Sequence, residues 1–490
     1  MNLKEILESG NEAYDVEIKG ITADSRKVEK GFMFVALPGL KFNGVDFIDD
    51  ALKAGAIAIL CIEAAKIENS NVIWITHENP AQVFPQYVAR FFEYQPEDIA
   101  AVTGTNGKTS VAFFTQQIWS HMGLKAGSVG TLGIHAEGYD KATELTTPDP
   151  VVIHQALKEL SDLDVSHVVF EASSHGLDQY RLEGVDISAA AFTNLTHDHL
   201  DYHETVEEYF NAKKRLFSEL LPSQKTAVLN VDCPTVRDVC QICEERGHRI
   251  ITVGRHDGDI RLLDQRSSPS GQEITVSYQS EIYDILLPLV GNFQASNALM
   301  ALGLVIGCGG DVKKAFNALA YLRPVRGRME QAGRHPNGGC IYVDYAHTPD
   351  ALETVLKSLK AHVRGKLSVV FGCGGDRDKA KRKVMGEIAE QLSDRVYVTD
   401  DNPRSEFPIE IRREIMQGCP KGVDAGERAG AIRKAVLDME EGDILLVAGK
   451  GHEQGQTIGD TVYEFDDVTV VRSAIVAAEQ DNNFNKRKAN

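Results

Sequence analysis

Residues 99–122 read IAAVTGTNGKTSVAFFTQQIWSHM, and the fold class follows from taking this stretch in three pieces. A short apolar run ending near Val102 predicts a buried strand. Gly104 to Gly107 make a glycine-rich turn, and after Lys108 the apolar residues Val111, Phe114, Ile118 and Met122 recur at helical spacing. Strand, glycine turn and helix in that order form a phosphate-binding loop. The glycines let backbone N–H groups close around phosphate oxygens, Lys108 adds a point charge, the Thr109 hydroxyl can ligate Mg²⁺, and the helix presents its positive end. The usual motif has a further glycine where this chain has Val102. The reading therefore rests on GTNGKT between a strand and a helix, and it points to a nucleoside triphosphate.

Outward from this loop, the 490 residues exceed what one hydrophobic core organises, and three blocks are expected. Residues 1–97 alternate apolar runs such as FMFVAL and AIAILCI with turns. Residues 98–325 continue past the loop through strand candidates HVVFEASS, SAAAFTNLTHDH, TAVLNVD and RIITVG, with helical stretches between them, as in a parallel sheet wrapped by helices. EITVSYQSEIYDILLPL alternates like a hairpin, and LRPVRGRMEQAGRHPNGG is expected to be a linker or hinge. Residues 326–490 repeat the α/β alternation in CIYVDYA, LSVVFGC, RVYVTDD and DILLVAGKG, a second doubly wound sheet. The polar tail EQDNNFNKRKAN is expected to fray.

A net charge of −19 argues against broad contact with nucleic acid or anionic membrane. No apolar run approaches a membrane span and the first residues lack a signal-peptide pattern, so a cytoplasmic location is expected. The eight scattered cysteines suit free thiols; Cys240 and Cys243 fall in VRDVCQICEERG, which reads as an amphipathic helix rather than a zinc site.

Ligands of such sheets bind at the carboxyl ends of the strands. There the second block places Glu171, then His197, Asp198, His199, Asp201 and His203, and Mg²⁺ on a triphosphate needs oxygen or imidazole ligands of this kind. The third block places GCGGDRDKAKR, TDDNPRSE and AGKGHEQG at successive strand ends. Arg377 and Arg404 can grip carboxylates in fork geometry, and Asp401 and Glu453 can receive an ammonium, which describes a pocket for a zwitterion.

Taken together, TGTNGKT, FEASSHGLDQYRL, TNLTHDHLDYH with AKKRLF, VDYAHTPDAL, GCGGDRDKAKR, DNPR and GKGHE resemble the Mur ligases in order and approximate spacing, over nearly the whole chain. The resemblance is most detailed to those members that add a diamino acid. It implies an N-terminal domain for a uridine nucleotide (1–97), a central ATP-binding domain (98–325) and a C-terminal Rossmann-like domain for the amino acid (326–490). It also implies ATP, UDP-MurNAc-L-Ala-D-Glu and meso-diaminopimelate as substrates, with Mg²⁺ as cofactor; a monomer is expected, though nothing in the sequence decides the oligomeric state.

The same resemblance assigns ATP to Gly104, Thr105, Asn106, Gly107, Lys108, Thr109, Ser110, Asn297, Arg328 and Asp344. Metal falls to Thr109, Glu171, His199 and Lys213, with Lys108, His199 and Lys213 catalytic. Lys213 matches a lysine that the family converts to a carbamate (N6-carboxylysine), Lys214 being the competing choice; without the family both would read as solvated helix lysines. The nucleotide-sugar peptide falls to Ser25, Thr146, Thr147, Ser173, Gln179 and Arg181. Diaminopimelate falls to Arg377, Asp401, Asn402, Pro403, Arg404, Gly449 and Glu453. Gln294 departs from the asparagine common in relatives, and the Leu40–Phe42 loop departs from their polar version, so neither is given a contact.

Overall fold

The computed structural model describes residues 1–39, 43–66, 72–196, 198, 202–268 and 271–489, with side chains as far as 480. Among the described residues three large sheets carry the chain, beside a two-stranded hairpin, Gly455–Ile458 with Thr461–Glu464. The first has four parallel strands in sequential order, Gly20–Thr22, Phe32–Val35, Ala58–Cys61 and Ile73–Thr76. Alternate residues of these strands divide between two small cores. Met33, Val35 and Leu60 pack with Phe84 and Val88 of the helix Pro80–Phe92, while Phe34 and Ile59 pack with Ile48 and Ala51 on the other face.

The central sheet has eleven strands. Its parallel middle runs in the spatial order Arg249–Gly254, Thr226–Asn230, Ile187–Phe192, Asp98–Thr103, His167–Glu171 and Ala126–Gly130. The strand entering the phosphate loop thus sits mid-sheet, covered on both faces, which is why IAAV reads as an unbroken apolar run. Ala100 and Val102 face the helices Lys108–His121 and Phe293–Gly307; Ile99 and Ala101 face Pro150–Asp162 and its neighbours. Antiparallel strands close both ends, including the expected hairpin, Gly271–Tyr278 with Glu281–Leu287. Cys240 and Cys243 lie on the helix Val236–Glu245, Cys243 fully buried.

The third sheet runs Glu330–Arg334, Cys340–Asp344, Ile444–Ala448, Leu367–Phe371, Arg395–Thr399 and Val423–Gly426. All but the first are parallel, and helices cover both faces. The chain order reverses at Ile444–Ala448, which inserts between strands formed earlier and opens a crevice at their carboxyl ends.

Two expectations change. Within the presumed linker, Glu330–Arg334 is an edge strand, antiparallel to Cys340–Asp344, with Ala332 alone turned into the core. Its proline- and arginine-rich flanks hide a strand that has one apolar inward position. The polar tail is helical: Asp467–Ala489 forms one helix with no glycine or proline to end it. No helix among the described residues is long and apolar enough to cross a membrane.

Candidate functional site

The loop after Asp98–Thr103 turns on two glycines in the left-handed region, Gly104 (φ +146°) and Gly107 (φ +90°). A Cβ at Gly104 would lie 1.9 Å from the Thr193 hydroxyl, and one at Gly107 2.5 Å from Asn297 Oδ1, so only glycine permits this path. The next parallel strand end holds the loop in place. Thr105 and Asn106 donate their backbone N–H groups to Asn194, at 2.8 and 2.9 Å, and Thr193 donates to the Asn106 carbonyl at 2.7 Å. The helix Lys108–His121 begins at once, with Thr109 and Ser110 buried in its first turn.

Lys108 Nζ donates back to the carbonyls of Gly104 (2.9 Å) and Thr105 (2.8 Å), and burial pulls its pKa below the usual lysine range. Thr109 donates to Glu171 Oε2 at 2.9 Å and accepts from Arg328 Nη2 at 3.0 Å. Fully buried Glu171 also accepts from the N–H (2.8 Å) and hydroxyl (3.2 Å) of Thr131. Asp344 accepts from the backbone N–H groups of Met329 (2.7 Å) and Ala346 (2.8 Å), and burial raises its pKa to about 6. Gln294 and Asn297 are both buried, and the Asn297 amide donates to Gln294 Oε1 at 3.0 Å.

The helix Val206–Arg215 separates the two candidate lysines. Lys213 is buried, donates to the Gly104 carbonyl at 2.8 Å and lies 4.3 Å from the Tyr209 ring centroid. Burial, then the neighbouring Lys108 charge, holds its pKa well below that of a free lysine, against the pull of Asp198. Lys214 points the other way, over the Phe210 ring and into an open surface hollow. His199, with His197, Asp201 and the Leu40–Phe42 loop, lies outside the described residues.

Lys108, Thr109, Glu171, Lys213, Asn297, Arg328 and Asp344 line one cavity of about 500 Å³. Thr146, Ser173 and Arg181 form part of its wall. Thr147 lies behind them, donating to the Glu171 carbonyl at 2.7 Å and bonded to the Ser173 hydroxyl at 3.0 Å. Arg181 donates to the Thr147 carbonyl (2.6 Å) and to Gln179 Oε1 (2.5 Å), and Gln179 donates to the Tyr202 hydroxyl (3.0 Å). Ser25 is not part of this wall; it begins the short turn Ser25–Lys27 after the first strand. The adjacent Arg26 is charge-stabilised by Asp24 and then by Glu144, which does line the cavity.

A second cavity, also about 500 Å³, opens at the C-terminal strand ends, lined by Arg377, Asp401, Asn402, Arg404, Gly449 and Glu453. Pro403 stands behind the lining: its carbonyl would lie 1.9 Å from a Cβ at Gly375. Gly449 (φ +114°) leaves room for Asp401, whose carboxylate a Cβ there would approach to 2.8 Å. Lys450 was not singled out from sequence. Fully buried, its ammonium donates to Asn402 Oδ1 (2.9 Å) and Glu453 Oε2 (2.8 Å), and the Asn402 amide donates to the same Glu453 oxygen (2.9 Å). A lysine inside GKGHE, between two pocket residues, was the available signal.

The two cavities share a wall made by His175, Asp198, Tyr345, His347, Asp350 and Arg377. Asp350, at the start of the helix Pro349–Lys360, accepts from the phosphate-loop Asn106 amide at 3.0 Å. The His347 ring nitrogen Nδ1 lies 2.9 Å from the Tyr345 carbonyl, which fixes the ring with its other nitrogen unprotonated when neutral. Burial favours that neutral form. His175, Tyr345, His347 and Asp350 were not singled out from sequence, because their value lies in where two separate sheets meet.

Among the described residues no three His, Cys, Asp or Glu side chains converge as a metal site. The Thr109 hydroxyl and the Glu171 carboxylate, whose described hydrogen bonds come from hydroxyl and backbone N–H donors, nevertheless form an oxygen donor set that suits a hard divalent cation.

Comparison with known proteins agrees with this architecture along the chain. Residues 17–92 match the Mur ligase family catalytic domain, 102–305 the Mur ligase middle domain, and 327–451 the Mur ligase glutamate ligase domain. A UDP-N-acetylmuramoyl-L-alanyl-D-glutamate–2,6-diaminopimelate ligase from Zymomonas mobilis is 49% identical over 94% of this chain and 96% of its own. Its counterpart from Brucella melitensis is 46% identical over 98% of this chain and 100% of its own. A solved structure of a ligase with the same name superposes with a TM-score of 0.71 at 33% identity, covering 98% of this chain and 99% of that one. A folylpolyglutamate synthase from Mycobacterium tuberculosis, solved with ADP and AMPPCP, shares the fold at 20% identity, with a TM-score of 0.62 over 81% of this chain and 93% of that one. From the three matched domains and these full-length relatives, the chain belongs to the Mur ligase family.

Proposed function

We propose that this protein is an ATP-dependent ligase that joins meso-2,6-diaminopimelate to the side-chain carboxylate of D-Glu in UDP-MurNAc-L-Ala-D-Glu. The observation that carries this reading is the common wall between the phosphate-loop cavity and the zwitterion cavity. Residues 1–97 and the Thr146–Arg181 wall take the nucleotide-sugar peptide, residues 98–325 take ATP, and residues 326–490 take the amino acid.

In the first step a carboxylate oxygen of D-Glu attacks the γ-phosphorus of ATP, giving an acyl phosphate and ADP. The phosphate loop orients the triphosphate, while Lys108 and Arg328 offset the negative charge that gathers as the phosphoryl group moves. Thr109, Glu171 and His199 would hold Mg²⁺, which supplies further charge neutralisation on the triphosphate when bound. We assign Lys213 to the same set as a carbamate. A buried amine with a depressed pKa offers the free base that adds CO₂, and the addition exchanges a repelled ammonium for an anionic ligand. In the second step the amine of diaminopimelate attacks the acyl carbon, phosphate departs with the former carboxylate oxygen, and an amide remains. Holding both reactants against one wall provides the orientation.

Arg404 selects the amino acid. Diaminopimelate carries one carboxylate more than lysine, and lysine would leave the guanidinium without that partner. The test is phosphate release by the purified protein with ATP, Mg²⁺, bicarbonate and UDP-MurNAc-L-Ala-D-Glu, with diaminopimelate and L-lysine in competition. Release that depends on diaminopimelate, and falls about 10–100-fold in Arg404→Ala, supports the reading. Lysine used in preference, or no release dependent on diaminopimelate, ends it.

A further inference from the structure

Beneath the amino-acid cavity, and outside its lining, lies a second layer of charge. Arg382, on the helix Ala380–Leu392, is fully buried. Its Nη1 donates to Glu406 Oε2 (3.0 Å) and Glu414 Oε2 (2.8 Å), and its Nη2 donates to Glu406 Oε1 (2.9 Å) and the Gly374 carbonyl (3.2 Å). Glu406 Oε1 also accepts the Asp376 backbone N–H at 2.7 Å, and Lys379 Nζ lies 3.1 Å from Oε2. Arg382 foremost keeps the Glu406 carboxyl ionised, with its pKa lowered to about 2.

One forked pair therefore joins the glycine-rich loop after Leu367–Phe371, which carries Arg377, to the loop after Arg395–Thr399, which carries Arg404. Two lighter contacts follow the same seam. Ser405 donates to Asp376 Oδ1 at 2.6 Å, and Arg404 Nη1 donates to the Gly375 carbonyl at 2.8 Å. Both loops hold a strained residue beside the pair, Asp376 at φ +53° and Arg404 at φ +51°. Residues with side chains keep that left-handed conformation only where their surroundings impose it. A buried ion pair of this kind is weak as a stabiliser against apolar packing, and its best-attested use is to fix register.

We propose that Arg382 and Glu406 are positioning residues that set the spacing of Arg377 and Arg404, and with it the preference for an amino acid bearing two carboxylates over one bearing one. The inference rests on the diaminopimelate reading above. Wild-type turnover with diaminopimelate tests that reading, and the variants measured against wild type test this one.

Arg382→Met should raise KM for diaminopimelate about tenfold and leave KM for ATP within about twofold of wild type. The ratio of kcat/KM for diaminopimelate over lysine should fall by a similar factor. Arg382→Lys, which keeps the charge but not the fork, should recover part of the loss. In an Arg404→Ala background the same Met substitution should add less than about twofold, because its effect passes through Arg404. Should Arg382→Met fail to fold, Glu406→Gln keeps the shape, removes the charge, and should show the same pattern at about threefold. A parallel rise in both KM values, an unchanged amino-acid ratio, or factors that multiply in the double variant would overturn the proposal.

Discussion

The cavity over the phosphate loop and the cavity at the C-terminal strand ends are alike in volume, about 500 Å³ each, and differ in how they are built. The first takes Thr105–Ser110 from one contiguous turn and the helix it opens, a path shaped by two left-handed glycines, and the rest of its lining from other strand ends. The second is assembled from loops far apart in sequence, and its polar side chains are held by other polar side chains, Lys450 on Asn402 and Glu453 among them. A site shaped by backbone tolerates change in its neighbours and little in its own residues. A site shaped by side-chain contacts is sensitive one layer out.

The sharpest way to break this contrast is to remove the lysine that faces the phosphate loop. Lys213→Ala should lower kcat by about 10²–10³-fold while Lys214→Ala stays near wild type, since only Lys213 is buried against the Gly104 carbonyl. Intact wild-type protein should also gain the mass of one CO₂ in gentle native spectra, and Lys213→Ala should not. Equal effects of the two substitutions would show that this wall is not the one used.

A smaller effect tests the seam between the cavities. Asp350→Ala removes the nearer of two acceptors of the Asn106 amide, about 1 kcal/mol or fivefold. Because the bond joins the phosphate loop to the third sheet, steady-state kinetics should show the loss for ATP and for diaminopimelate alike. A change confined to one substrate would mean that the two regions are not coupled there.

The smallest effect falls on the scaffold, away from both cavities. His154, buried on Pro150–Asp162 with Nε2 3.3 Å from the Glu183 carbonyl, has its pKa lowered to about 4 by burial. Between about pH 4 and 6.5 the unfolded chain therefore binds a proton that the folded chain does not. Its stabilising contribution is complete above pH 6.5 and is lost as pH falls toward 4, at up to about 1.4 kcal/mol per pH unit. In denaturant titrations across that window His154→Gln should show a shallower acid loss than wild type. Equal slopes would remove His154 as the cause.

The same contrast explains what the sequence disclosed. The phosphate loop was legible because its elements are local: strand, glycines, lysine and helix occupy 24 consecutive residues. The alternation of the third block gave its doubly wound sheet, and the strand-end rule gave Arg377, Asp401, Arg404 and Glu453 their common cavity. The motifs alone left Lys213 and Lys214 open, because a helix shows which face it buries only when packed. Lys450, Asp350 and His347 stayed hidden for a related reason, since each matters through a partner about fifty or more residues away or through a wall shared by two sheets. Glu330–Arg334 was misjudged as linker because an edge strand with one inward side chain leaves almost no period to read.

Capture, by an amine from the neighbouring cavity, of an acyl phosphate made over the phosphate loop is the step on which the proposed function stands. It is tested by labelling both side-chain carboxylate oxygens of the D-Glu substrate with ¹⁸O and following the label by mass spectrometry. One labelled oxygen should appear in inorganic phosphate for each amide formed, and only when diaminopimelate is present. Phosphate free of label while amide accumulates would contradict it.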